Sequence, residues 1–269
     1  MSILIDAIGT HHVPVTKLSD GTLDCRIVSL VPSLTELLCD LGLTTSIVGR
    51  TGFCIHPEQQ LAPIPKIGGT KDVNIEKIRK LAPTHLIVNI DENEKPTVDA
   101  LAEFIPHIIV THPITPLDNL DVYRLFGAVF HAQTKAETLC RDLQQAYDAL
   151  QAQRNNKLQR VLYCIWKDPW MTVARETYIA HMLALINLQQ WECKDSTLRY
   201  PTFTWTPQLV EDIDLIFLSS EPYHFTDEHC DALEKQCGKP VQLIDGEMLS
   251  WYGSRAIAGL RYLQNLQAE

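Results

Sequence analysis

No run in this 269-residue chain approaches the roughly 18 consecutive apolar residues of a membrane-spanning helix, so an embedded helical protein is not expected. Long basic runs are missing too. The net charge is −10 with lysines and arginines scattered, which argues against a nucleic-acid or anionic-membrane surface. The eight cysteines form no CxxC pair and, in a chain this long, read as reduced and mostly buried thiols. The opening residues contain no basic region followed by an apolar core and a small-residue cleavage site. The sequence as written therefore predicts a cytoplasmic protein, and a periplasmic one if the true start differs. Gly68-Gly69 is a tight turn without the GxGxxG spacing of a dinucleotide site or the lysine of a phosphate loop, which excludes NAD and ATP as primary ligands.

What is present is a repeated strand–loop–helix rhythm interrupted once. Residues 1–25 read as a β extension, a hairpin turned at Asp20-Gly21. From 26 to 115, strands at 27–31, 46–49, 85–89 and 107–111 alternate with helices at 34–41, 75–81 and 97–104. After 155, strands at 161–165, 215–218 and 241–244 alternate with helices at 176–188, 227–236 and 254–266. This alternation predicts two Rossmann-like α/β lobes, each with a mostly parallel sheet. Between them, residues 116–154 carry apolar side chains at helical spacing, from Val122 and Phe126 through Leu139 and Leu143 to Leu150. Thr134-Lys135-Ala136-Glu137 is a second capping signature inside that run, so the linking stretch reads as two helices, 116–130 and 135–154.

Ligands of open parallel sheets bind beyond the carboxyl ends of the strands. In the second half those ends lead into Trp166, Lys167 and Trp170, into Glu221, Tyr223 and Phe225, and into Glu247, Trp251, Tyr252 and Arg255. Large rings on loops leave apolar area in water at roughly 25 cal/mol per Å², so such a set reads either as a loop core or as a recognition surface. In the first half the corresponding residues are Pro32 and Ser33 at a helix start, Arg50, Thr51 and Phe53, and Gly69 and Thr70. The expected ligand wall is rings at 166, 170, 223 and 251, with polar contacts from Arg50, Lys167, Glu221, Glu247 and Arg255.

Cys54 and His56 have the spacing of two metal ligands from one loop, with no third ligand fixed. A Cys54, His56 and Glu247 nucleophile set lacks any nucleophile-elbow signature. No catalytic residue is therefore assigned. Glu92 and Glu94 read as solvated acids, and His11, His12, His107, His112 and His181 as structural or exposed.

Several segments in combination resemble the helical-backbone metal receptors, the substrate-binding proteins of ABC importers for cobalamin and iron siderophores. They include Ile27-Val28-Ser29-Leu30-Val31-Pro32-Ser33-Leu34-Thr35-Glu36-Leu37, Ile67-Gly68-Gly69-Thr70, Ile165-Trp166-Lys167-Asp168-Pro169-Trp170-Met171-Thr172 and Asp245-Gly246-Glu247-Met248-Leu249-Ser250-Trp251-Tyr252-Gly253. The resemblance runs from about Arg26 to the C-terminus and is closest to the cobalamin-binding-like branch. It implies a non-enzymatic binder that clamps a corrinoid, haem-like ligand or ferric siderophore between two lobes with little hinge motion, and that needs no cofactor of its own. It also implies an ABC permease as partner, met by a surface acid on each lobe. Glu76 fits the first position, and Trp205-Thr206-Pro207-Gln208 offers no acid at the second. The alternative is a cytosolic metal-binding or enzymatic protein reusing the fold; a third reading is an interaction module with a vestigial cleft.

Overall fold

The computed structural model describes residues 4–153, 157–193 and 196–267. The described chain separates into two compact units. The first, here the N-unit, draws on residues 1–113, 117–143 and 252–255; the second, the C-unit, on 114–116, 144–251 and 256–269.

In the N-unit, β1 (Ile27–Ser29) leads into α1 (Pro32–Asp40), then β2 (Ile47–Arg50), α2 (Glu58–Leu61), α3 (Ile75–Lys80), β3 (His85–Asn89), α4 (Lys95–Ala102) and β4 (His107–Thr111). The strands form one parallel sheet in the order β2-β1-β3-β4. Every residue of β3 is buried, as expected of a central parallel strand covered on both faces. Val28, Leu30, Leu86 and Val88 pack with Ile78, Leu101 and Ile105 in one core.

The linking stretch is broken between 130 and 132, as expected, but the second helix starts at Gln133, two residues before the expected 135, so Thr134 lies inside it and is not its cap. After a 3-10 turn at Pro116–Asp118 come α5 (Asn119–Val129) and α6 (Gln133–Ala152). The chain turns at His131, whose φ is 54 and whose Nε2 lies 2.7 Å from the Val15 carbonyl. Gly127 makes the close approach of the two helices possible: a Cβ there would stand 2.6 Å from that of Ala136. The twenty-residue α6 starts in the N-unit and ends in the C-unit. Arg154, its expected last residue, lies outside the described residues.

The C-unit runs β5 (Gln159–Trp166), β6 (Met171–Thr172), α7 (Tyr178–Ala184), β7 (Leu188–Gln190), α8 (Pro207–Asp212), β8 (Leu215–Ser219), α9 (Asp227–Cys237), β9 (Val241–Ile244), α10 (Gly246–Ser250) and α11 (Arg255–Leu266). Its sheet is parallel across β7, β5, β8 and β9, while β6 folds back antiparallel on the end of β5.

Three local expectations need correction. The helix expected over 176–188 stops at Ala184, because Asn187 turns left-handed (φ 59) and Leu188–Gln190 pairs with Gln159–Val161 as an edge strand. Asp245-Gly246-Glu247 is no open loop: Asp245 accepts from the Met248 amide and caps α10. Among its described residues the expected hairpin extension is instead two single-bridge turns, Ile5 with His11 and Lys17 with Leu23. Its anchor is Asp6, whose carboxylate accepts from the amides of Ile8, Thr10 and Val110 and pairs with His12. The extension thereby covers the open side of β4.

Candidate functional site

At the carboxyl ends of the N-unit strands, most of the expected contacts prove to be internal. Pro32 and Ser33 open α1 but are buried, and Ser33 Oγ has no partner among the described residues. Arg50 is 6% exposed; its Nε donates to the Leu61 carbonyl and its Nη1 to those of Thr51 and Cys54. As a free cation for a ligand, Arg50 is thus corrected to a residue that pins its own loop. Cys54 is fully buried, its Sγ 3.1 Å from both Thr35 Oγ1 and Thr51 Oγ1, and burial pushes its thiol up. A protonated buried thiol is neither the thiolate that a metal takes nor an activated nucleophile. Thr51 is fully buried as well, and His56 is half-buried beyond it. Among the described residues no group of three or more His, Cys, Asp or Glu side chains is placed to hold a metal.

What stays open is Phe53. It is 62% exposed and lies against the turn at Gly69, where an added Cβ would be 3.4 Å from the ring. Gly68, with φ +118 and no room for a Cβ against the Asp72 carbonyl, forces that turn. The Thr70 carbonyl accepts from Asn93, which ties the turn down behind the ring. Glu76 is exposed in the first turn of α3, 3.7 Å from Arg79.

Residues 252–255 belong to this unit too. Tyr252 donates to Glu92, Gly253 donates its amide to Asn119 Oδ1 and accepts from Tyr123, and Arg255 grips Glu36 at 2.8 Å through both Nε and Nη2. Two expectations change as a result. Arg255 and Tyr252 are spent on holding the segment in place, and Glu92 is half-buried and not solvated.

The C-unit carries aromatic side chains of its own at the carboxyl ends of its strands. Beyond β5, Trp166 is 39% exposed, and the Tyr223 ring beyond β8 meets it edge-on at 5.4 Å. Lys167 beside it is half-buried. Trp170 and Phe225 take the other reading of loop aromatics. They stack at 5.9 Å, Phe225 is 2% exposed, and Trp205 and Phe203 close around Trp170. These two rings form a loop core, with Phe225 sealed inside it. Trp251 is buried as well and donates its indole N–H to Glu221 Oε1, which also accepts from Ser250. Burial pushes the Glu221 carboxyl up; those two donors pull against that, and Glu247 and Asp245 add to it. Gly246 allows the packing, since a Cβ there would stand 2.7 Å from Glu221 Cγ.

Sequence reading missed Phe203 and Trp205, which lie in a stretch with no strand signal of its own, and Ser250, whose role depends on a carboxylate 29 positions away.

The profile of the family described as periplasmic binding protein matches residues 27–233. The chain belongs to that family. An uncharacterised ABC transporter substrate-binding lipoprotein of Bacillus subtilis, YvrC, is 26% identical over 171 residues, 60% of this chain. The chain spans only 54% of that relative's length. Among solved structures, the periplasmic vitamin B12-binding protein BtuF of Vibrio cholerae superposes with a TM-score of 0.75 at 19% identity, covering 90% of this chain and 96% of that one. The apo periplasmic heme-binding protein RhuT of Roseiflexus sp. RS-1 gives 0.74 at 20%, covering 90% and 97%. These likenesses establish the two-lobed α/β fold with parallel sheets.

Proposed function

We propose that this member of the periplasmic binding protein family is a non-enzymatic receptor for a metal chelate, a corrinoid, haem or ferric siderophore, which it delivers to an ABC importer. The observation that carries the reading is the Trp166–Tyr223 pair, left partly open at the carboxyl ends of two adjacent parallel strands. An exposed ring at such an edge costs free energy in water that stacking on a flat ligand recovers. Phe53 offers a second open ring at the carboxyl end of the N-unit sheet. The B12- and heme-binding proteins that share the fold, and the ABC lipoprotein relative, support the same class.

The location that goes with this reading is outside the cytoplasm, against the expectation from the opening residues. Glu76, exposed on α3, is the proposed contact with a permease. The enzymatic alternative has less support, because its nucleophile, Cys54, is a buried and protonated thiol.

Titration calorimetry with cobalamin, cobinamide, haemin and a ferric siderophore tests the proposal. At least one should bind well below about 100 μM, the range in which a specific small-molecule site operates. Heat from none of them would sink the reading.

A further inference from the structure

A phenylalanine ring left 62% exposed costs free energy in water, and a loop free to move would turn it down onto the nearest apolar surface. Phe53 stays out because the residues on either side of it are fixed. Thr51 and Cys54 are both fully buried, and only Gly52 and Phe53 between them reach the surface. Arg50 Nη1 donates to the carbonyls of Thr51 and Cys54, at 3.3 and 2.8 Å, so one guanidinium closes both ends of that two-residue excursion. Its Nε donates to the carbonyl of Leu61, the last residue of α2, at 3.0 Å. Two further ties act on the same stretch. Cys54 Sγ lies 3.1 Å from both Thr35 Oγ1 and Thr51 Oγ1, and the Gly52 amide donates to the Gly68 carbonyl at 2.7 Å. All of these groups belong to the N-unit. A planar fork with five donors serves three carbonyls at once, whereas the ammonium of a lysine cannot reproduce those directions.

We propose that Arg50 is a positioning residue for ligand capture: it preorders the Gly52-Phe53 excursion, so that the ring meets a ligand without the cost of ordering the loop at that moment. This rests on the receptor reading and deepens it.

The test is a double-mutant cycle of Arg50→Lys and Phe53→Ala in titration calorimetry, with cyanocobalamin, haemin and ferrioxamine, a ferric siderophore, as separate probes. Phe53→Ala should weaken the probe that binds about three- to tenfold, the loss of one stacked ring. Arg50→Lys should weaken it about two- to tenfold in the parent, the cost of ordering one freed side chain. When Phe53 is already alanine, the same change should cost less than about twofold, since no ring is left to place. Equal losses in both backgrounds, or no loss from either single change, overturn the inference and leave the receptor reading standing. If no probe binds the parent, both fall together. Should Arg50→Lys fail to fold, hydrogen exchange on the parent takes its place. The Cys54 amide, bonded to the Thr51 carbonyl at 3.3 Å, should be protected before any ligand is added. Exchange there at the rate of an open chain would overturn the inference.

Discussion

Trp166, at the end of β5, and Phe225, on the loop beyond the neighbouring β8, lie in opposite surroundings. Trp166 is open to solvent on one side, whereas Phe225 is sealed under Trp170. Trp166→Ala should weaken chelate binding about three- to tenfold, the loss of one stacked ring, with little change in unfolding midpoint. Phe225→Ala should instead cost about 3–5 kcal/mol of stability by cavity formation, read by urea denaturation. A third residue carries a pH dependence. His85 is 5% exposed, stacked on His107 at 4.7 Å and edge-on to Phe130, and burial, with His107 and His12 adding to it, lowers its pKa from 6.5 to about 4. Its folded pKa lies below its unfolded one, so below pH 6.5 the unfolded chain takes up a proton that the native state refuses. Stability is therefore full above 6.5 and is lost as the pH falls towards 4, by at most about 3 kcal/mol from this group. His85→Phe should flatten the dependence between pH 7 and 4.5 in chemical denaturation; an unchanged slope would assign it to other groups.

Among the elements, the pair α5 and α6 is decided by one small residue. On propensity alone Gly127→Ala should stabilise α5 by about 1 kcal/mol. The 2.6 Å approach to Ala136 reverses the sign, and overpacking should cost about 1–3 kcal/mol, measured as a lower urea midpoint. An increase in stability would show that the helices separate freely. The break between them was legible to within two residues, although Thr134, read as the cap, falls inside α6, which starts at Gln133. The edge strand β7 was not legible. Its residues continue the apolar spacing of α7, and only pairing with β5, contributed by residues 159–161, turns them into a strand.

For the molecule as a whole, the chain returns to the N-unit after completing most of the C-unit. Residues 252–255 are held there by Glu92, Asn119, Tyr123 and Glu36. The side chains of Arg255 and Glu36 are only 12% and 17% exposed, so removing one partner strands a largely buried charge. Arg255→Ala should lower N-unit stability by about 3 kcal/mol, seen as faster amide exchange in α1. Unchanged exchange would mean that the segment is held by its neighbours alone. The proposed permease contact is separable from all of this. Glu76→Ala should leave ligand affinity and stability within about 0.5 kcal/mol of the parent, as for an exposed substitution, while reducing uptake in cells that depend on this receptor.

The sequence by itself determined the alternation of strands and helices, the two-helix link and the family, because hydrophobic period, caps and turn residues are written within a few positions of one another. It also marked the loops at which ligands of parallel sheets bind. Only the tertiary structure decided which side chains on those loops are free. Arg50, Arg255, Phe225 and Trp251 are indistinguishable from ligand contacts in the sequence. Their partners lie from one to more than 200 positions away, as with Arg50 on Thr51 and Arg255 on Glu36. Burial and pairing are properties of the packed chain, and of the expected rings they leave Trp166 partly open in the C-unit and Phe53 open in the N-unit.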